Sequence, residues 1–391
     1  MRVAHRFVAV FACIAAAGAV ALIAQERRAI SVGPPPAGPY SPAIAAGGFV
    51  YVSGMLGTGE DGKLVGPDIT SQATRIFDQM QRTLEAAGSS LADAVHVSVY
   101  LKSASDAAAL DAVMAKRVGS PPPARTVVVT GLLNEALVEI GAVAVPKGAA
   151  REALRMPNAS AAGPQSAAIR AGGLIYLSGL MPRDPAAPGG DIGKDVADVL
   201  GQAKALLATA NVGLEKVVSS RVYLADLANF AAMNAAYAPL FPADPPARAT
   251  AIAGSIAPSA RVTMSLIATT GPREVIGGPV PAGRVLSPAI RTGRHVFVSG
   301  MLGNTADNAT DVAAQTKETL TKIAASLQSA GLTMADVAES TVFLPDLAHF
   351  AAMNGAYREV FPSAPPARAT IGTPLVVNTG LVEIMMVAIA R

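Results

Sequence analysis

The sequence contains one tetrapeptide, Pro-Pro-Ala-Arg, at three widely separated places. The three copies end at Arg125, Arg248 and Arg368, about 120 residues apart. Hydrophobic segments ending in Ser-Gly precede them at nearly the same spacing, with serines at Ser53, Ser178 and Ser299. A period this long exceeds a solenoid repeat and matches the size of a whole domain. The chain is therefore predicted to contain three copies of one domain.

The three copies, called repeats 1, 2 and 3, are predicted to span residues 33–147, 160–272 and 278–391. The segments between them are rich in Pro, Gly and Ala, as expected of linkers. In repeat 1, the stretch AIAAGGFVYVSG alternates around Gly-Gly and predicts a hairpin. Apolar residues at helical spacing follow, at Ile69, Ala73, Ile76, Phe77, Met80 and Leu84. With a second helix from Asp106 and three further strands, the order is ββαβαββ, an α+β fold with helices on one sheet face.

The first 24 residues differ from the rest of the chain. Arg2 and Arg6 precede an apolar stretch over residues 7–23, and small residues follow. This pattern predicts a signal peptide and a periplasmic or secreted protein. The alternative is an uncleaved membrane anchor through residues 7–23, which Arg27 and Arg28 favour because positive charge tends to stay inside. The single cysteine of the chain lies in this leader, so no thiol is expected to act in catalysis or metal binding.

Composition excludes several classes of function. The formal net charge is +3 and no long basic run occurs, so nucleic acid is not an expected partner. Neither a Gly-rich phosphate loop nor a cluster of residues with metal-ligand spacing is present in the sequence. We therefore expect no cofactor and no metal, and no stable membrane partner beyond the leader.

The repeated arginine and two glutamates are candidates for chemistry. Pro-Pro restricts the backbone before the arginine, and a guanidinium in a fixed position offers a planar set of donors to a carboxylate. Glu139 and Glu383 lie in strands that are otherwise apolar, where a carboxylate is unfavourable unless it is paired or used. Two interpretations stay open: structural salt bridges between repeats, or an arginine that binds substrate beside a glutamate that polarises water.

These motifs together resemble the RidA/YjgF family of reactive intermediate deaminases. The pattern comprises a Gly-Pro-Tyr-Ser turn, a strand ending in Ser-Gly, an Asn-x-x-Tyr helix, Pro-Pro-Ala-Arg and a closing Val-Glu-Ile, in this order. The resemblance covers nearly all of the chain after the leader. It implies a chorismate mutase-like fold that assembles as a homotrimer with ligand clefts between subunits. Three tandem copies would then form an intramolecular pseudo-trimer, and we expect a monomer.

The resemblance also implies an activity and roles for residues. The reaction is hydrolysis of 2-imino or enamine acids to 2-keto acids and ammonia, without a cofactor. The arginines, Arg125, Arg248 and Arg368, would bind the carboxylate of an imino or keto acid, and Glu139 and Glu383 would order the attacking water. The other ligand-binding positions correspond to Tyr40, Ser53, Ser178, Ser299, Asn234 and Asn354.

Each repeat departs from the family pattern. Gln165 and Leu286 replace the tyrosine in repeats 2 and 3, Asp111 replaces the asparagine in repeat 1, and Thr263 replaces the glutamate in repeat 2. Since only repeats 1 and 3 keep both arginine and glutamate, we expect these two to supply the active half-sites and Arg248 to be dispensable. The alternative function is a non-catalytic protein that binds small carboxylates in degenerate clefts.

Overall fold

A computed structural model of the chain describes residues 27–156, 164–184 and 190–391. The predicted leader and the anchor proposed within it lie outside these residues. Within the described ranges, no helix combines the length and apolar character needed to cross a membrane.

Each repeat folds into one mixed sheet covered on one face by two helices. Repeat 1 contains β1 Arg28–Ile30, β2 Ala43–Ala46, β3 Phe49–Leu56, α1 Ile69–Ala86, β4 Ala94–Leu101, α2 Ala107–Met114, β5 Ala124–Val129 and β6 Val138–Ala144. Repeat 2 contains β7 Arg151–Leu154, β8 Ala168–Ala171, β9 Leu174–Leu177, α3 Ile192–Ala208, β10 Val217–Leu224, α4 Phe230–Tyr237, β11 Ala247–Ile252, β12 Gly254–Ser255 and β13 Val262–Thr269. Repeat 3 contains β14 Glu274–Ile276, β15 Ala289–Thr292, β16 His295–Leu302, α5 Val312–Ser329, β17 Val337–Leu344, α6 Phe350–Val360, β18 Ala367–Gly372 and β19 Glu383–Ile389.

The three sheets share one strand order. It is β1-β2-β3-β6-β4-β5 in repeat 1, β7-β8-β9-β13-β10-β11 in repeat 2 and β14-β15-β16-β19-β17-β18 in repeat 3. The pairs β4–β5, β10–β11 and β17–β18 are parallel and are connected through the second helix of their repeat. The short β12 of repeat 2 pairs with β5 and extends the sheet of repeat 1.

The predicted hairpin and first helix of repeat 1 are confirmed. Gly47 and Gly48 form the β2–β3 turn with φ of 61° and 83°, the left-handed values that such a two-residue turn requires. The side chain of Asp68 caps α1 by accepting a hydrogen bond from the backbone N–H of Ser71 at 2.9 Å. The apolar stripe of α1 is fully buried against the sheet.

The segments predicted as linkers are not irregular throughout, because parts of them form strands. β7 and β14 lie in these segments, and β1 precedes residue 33, so each sheet gains one additional edge strand. These strands are only three or four residues long, and they form because each pairs antiparallel with its neighbour. Strands this short carry too little alternation to be recognised from sequence.

The sheet faces opposite the helices meet in one core that all three repeats share. This shared core includes Phe49, Tyr176 and Phe297. The rings of Phe49 and Tyr176 lie 5.9 Å apart between centroids, edge to face. The repeats therefore form one body, with the three sheets packed around a common axis as the pseudo-trimer prediction requires.

Candidate active site

Three equivalent hydrogen bonds connect the repeats in a closed ring. In each, a serine of the Ser-Gly motif accepts the backbone N–H of the repeated arginine in another repeat, at 2.8 Å: Ser53 with Arg368, Ser178 with Arg125, and Ser299 with Arg248. Repeat 3 thus contacts repeat 1, repeat 1 contacts repeat 2, and repeat 2 contacts repeat 3. Each contact forms a cleft, named here by the repeat that supplies the arginine and then by its neighbour: cleft 3/1, cleft 1/2 and cleft 2/3.

Cleft 3/1 contains a buried arginine with no anionic partner. Arg368 is 3% exposed, and its Nη2 donates to Oδ1 of Asn354 at 2.7 Å. Its Cζ lies 4.9 Å from the ring centroid of Tyr357 and 5.6 Å from that of Tyr40. Of the residues that the structure describes, no carboxylate lies within ion-pair distance of this guanidinium, and burial lowers its pKa. A buried cation in this state favours an anionic ligand.

The opposite wall of cleft 3/1 carries Glu139, at the second position of β6. Burial raises the pKa of Glu139 to about 8, although the backbone N–H of Thr370 and the charge of Arg368 act against this shift. A Cβ on Gly54 would overlap Oε1 of the carboxyl group, so the Ser-Gly motif leaves the space that Glu139 occupies. The carboxyl group is therefore held in one position and changes protonation near neutral pH.

A loop from repeat 1 closes cleft 3/1 over the arginine. The backbone N–H of Ser41 donates to the carbonyl of Pro366 at 3.1 Å, and Ser41 Oγ donates to the carbonyl of Pro365 at 2.6 Å. These two bonds hold Tyr40 against Arg368, and burial raises the pKa of the Tyr40 hydroxyl. A Cβ at Gly38 would approach Nη2 of Arg368 to 3.0 Å, so this loop lies directly on the guanidinium.

Cleft 2/3 repeats this arrangement with one change. Nη2 of Arg248 donates to Oδ1 of Asn234 at 2.7 Å, and its Cζ lies 4.9 Å from the ring centroid of Tyr237. Burial raises the pKa of Glu383 to about 8, against the charge of Arg248. Leu286 stands at the position of Tyr40, so this cleft lacks the second aromatic ring.

Cleft 1/2 keeps the arginine but differs from the other two clefts in the groups around it. Nη1 of Arg125 forms an ion pair with Oδ1 of Asp111, and Nε donates to Oε1 of Gln165 at 2.8 Å. Thr263 stands where the other clefts have glutamate, and its buried Oγ1 has no hydrogen-bond partner. The guanidinium of Arg125 is thus already neutralised, and among the described residues of repeat 2 no acidic group pairs with it.

The structure corrects the expected grouping of the predicted residues. Glu139 lies with Arg368, not with Arg125 of its own repeat, and Glu383 lies with Arg248. The prediction that repeats 1 and 3 each supply a half-site from their own residues is therefore wrong, because the clefts form between repeats in cyclic order. No single repeat contains all five of the predicted residue types, but cleft 3/1 brings them together: Tyr40, Ser53, Glu139, Asn354 and Arg368.

Two aromatic residues that are not among the predicted site residues also line the clefts. Tyr237 and Tyr357 each lie beneath the guanidinium of their own repeat. The sequence does contain a signal for this position, because both tyrosines precede the arginine of their own repeat by the same number of residues. Met114 occupies the equivalent position in repeat 1.

In the described part of the chain, no group of three or more His, Cys, Asp or Glu residues is placed to hold a metal ion.

Comparison with known proteins gives matches over each repeat. The sequence model described as Endoribonuclease L-PSP matches residues 31–146, 156–270 and 279–390. A RutC family protein of Pyrococcus abyssi is 41% identical over 124 residues, which is 31% of this chain and 98% of the relative. A 2-iminobutanoate/2-iminopropanoate deaminase of Dermatophagoides farinae is 37% identical over 125 residues, covering 31% of this chain and 98% of the relative. The crystal structure of RidA from the Antarctic bacterium Psychrobacter sp. PAMC 21119 is 35% identical, with a TM-score of 0.29 over 30% of this chain and 99% of that one.

Proposed function

The chain belongs to the endoribonuclease L-PSP family, also called RidA/YjgF, in three tandem copies, and on this premise we propose that it hydrolyses reactive 2-imino acids to 2-keto acids and ammonia in cleft 3/1. One observation carries the proposal: the buried, anion-free guanidinium of Arg368 faces a buried carboxyl group, Glu139, with a pKa of about 8. The name of the D. farinae relative supports this substrate class.

Substrate capture follows from the charge of the cleft. Arg368 uses one of its five N–H donors on Asn354, and the rest have no oxygen acceptor among the described residues. The carboxylate of the imino acid accepts from these donors and neutralises the buried cation. The rings of Tyr40 and Tyr357 limit movement of the guanidinium, so the bound carboxylate has a defined position in the cleft that Glu139 also lines.

Proton transfer is the role of Glu139. The water oxygen bonds to the carbon of the protonated imine while Glu139 accepts a proton from that water, giving a neutral carbinolamine. Glu139 then returns the proton to the amine nitrogen, and the C–N bond breaks as the hydroxyl oxygen forms the carbonyl of the 2-keto acid. The hydroxyl proton passes to the departing ammonia, which leaves as ammonium and restores ionised Glu139. A pKa of about 8 suits both steps, because protonated and ionised forms are each populated near neutral pH.

The test compares substitutions at equivalent positions of the three clefts. Glu139→Gln combined with Glu383→Gln keeps the shape of both side chains but removes their basicity, so keto-acid release from freshly generated 2-iminobutanoate should fall about 100-fold or more. Thr263→Val is the matched control in cleft 1/2 and should leave release unchanged, since the Thr263 hydroxyl has no hydrogen-bond partner. If the double glutamine variant keeps the full rate, the proposed catalytic role is wrong.

A second candidate function is binding of small carboxylates without turnover. The replacements Thr263 and Leu286 favour it, because they remove a catalytic group from cleft 1/2 and an aromatic group from cleft 2/3. A wild-type chain that binds 2-oxobutanoate but does not accelerate imine hydrolysis would establish this candidate in place of the first.

A further inference from the structure

One helix position differs among the three clefts and determines whether the arginine has an anionic partner within the chain. Asp111 on α2, Asn234 on α4 and Asn354 on α6 each precede the arginine of their own repeat by 14 residues. All three side chains contact that guanidinium through a side-chain oxygen. Only Asp111 brings a negative charge, so one cleft has an internal ion pair where two have a neutral hydrogen bond.

The ion pair changes what cleft 1/2 can bind. Arg125 is 5% exposed at its side chain, and the side chain of Asp111 is 39% exposed. A ligand carboxylate entering this cleft would have to share one guanidinium with Asp111, and two carboxylates in close contact repel each other. It would also have to displace Gln165 from Nε, at a hydrogen bond of 2.8 Å. Both effects act against binding of an anion.

We propose that Asp111 acts as an internal substitute for the ligand carboxylate, so that cleft 1/2 is permanently self-occupied and the chain binds 2-keto or 2-imino acids in two clefts, not three. The residue at this helix position selects between the two states: asparagine leaves the arginine available to a carboxylate, and aspartate occupies it. This inference rests on the proposed function for the class of ligand, and it assigns Asp111 a role in excluding that ligand.

The glutamate position agrees independently with this assignment. Clefts 3/1 and 2/3 keep a glutamate facing the free arginine, and cleft 1/2 has Thr263 there. Exclusion of the ligand and absence of the proton-transfer group thus occur in the same cleft.

The experiment counts ligand sites by isothermal titration calorimetry with 2-oxobutanoate. The expected stoichiometry is two sites in the wild type, three in Asp111→Asn and one in Asn354→Asp. Asp111→Asn recreates the contact that Asn234 and Asn354 make, and Asn354→Asp installs the internal carboxylate in cleft 3/1. Asp106→Asn is the charge-matched control, because its side chain lies at the start of α2 without capping the helix, and it should keep two sites.

Two outcomes would overturn the inference: an Asp111→Asn chain with no more sites than the wild type, or an Asn354→Asp chain that loses none. The proposed function fails by a separate result, a wild-type chain that releases no keto acid from 2-iminobutanoate faster than buffer does. Titration calorimetry gives the number of ligand sites in the variant and in the wild type whether or not the chain turns over 2-iminobutanoate.

Discussion

Oγ of Ser53 accepts the backbone N–H of Arg368 at 2.8 Å, although the two residues lie 315 positions apart in the chain. This contact joins the last repeat to the first and closes the ring of clefts. The arginine strand of repeat 3, which would otherwise need a second chain, finds its partner within the same molecule. All three arginine strands are therefore satisfied without another copy.

Closure of the ring predicts a monomer in solution. A cyclic arrangement that closes within one chain leaves no equivalent interface for further chains. Light scattering should give a mass near 39.4 kDa, or slightly less if the leader is removed. A stable assembly of three whole chains would contradict the intramolecular pseudo-trimer.

The glycine of the Ser-Gly motif should be required where it faces a glutamate. Gly54→Ala combined with Gly300→Ala places methyl groups where Oε1 of Glu139 and Oε1 of Glu383 lie, so both carboxyl groups must move and turnover should fall at least about 10-fold. Gly179→Ala is the control in cleft 1/2, where the new Cβ would meet methyl carbons of Thr126 and Thr263 at 3.1 and 3.3 Å. Turnover at cleft 3/1 should be unaffected by that change. Equal losses of turnover in the two variants would contradict the placement of Glu139.

Much of this arrangement could be predicted from the sequence, and one part could not. The three repeats, the β2–β3 hairpin and the apolar face of α1 follow from spacing and periodicity, which are local signals. The pairing of Glu139 with Arg368 is a contact between distant repeats, and sequence spacing cannot distinguish it from pairing with Arg125. Asp111 was visible as a departure from the family pattern, but its consequence depends on the ion pair that it forms.

The two buried glutamates should make stability depend on pH. In the folded protein they keep their protons up to about pH 8, whereas in the unfolded chain they ionise near pH 4.5. Between these values the unfolded state binds fewer protons, so their contribution to stability falls as pH rises. Glu139→Gln with Glu383→Gln should therefore raise the free energy of unfolding at about pH 8.5, by up to roughly 5 kcal/mol for each, and much less at about pH 5. Urea denaturation at both pH values tests this, and a larger gain at the lower pH would refute it.

Breaking a largely buried ion pair between repeats 2 and 3 should lower stability. Nη2 of Arg221 lies 3.2 Å from Oε1 of Glu339, with side chains 13% and 21% exposed. Burial lowers the pKa of the Arg221 guanidinium, but Glu339, Tyr100 and Tyr223 together more than offset this effect and raise the pKa. Glu339→Gln leaves a buried cation without its carboxylate and should lower the free energy of unfolding by about 3–5 kcal/mol.

The chain offers a matched control for this pair. Lys317 and Glu359 lie 2.9 Å apart with side chains 52% and 63% exposed, so Glu359→Gln should change the free energy of unfolding by less than about 1 kcal/mol. Similar losses in Glu339→Gln and Glu359→Gln, measured by urea denaturation, would show that the Arg221–Glu339 pair has no special role.

The most direct test of the cleft assignment is a crystal structure of the protein with 2-oxobutanoate. We expect a ligand in cleft 3/1 whose carboxylate contacts the guanidinium of Arg368 and whose carbonyl carbon faces the carboxyl group of Glu139. Arg125 should keep its ion pair with Asp111 and bind no ligand. A keto acid bound to Arg125, with cleft 3/1 empty at a saturating concentration, would contradict the assignment.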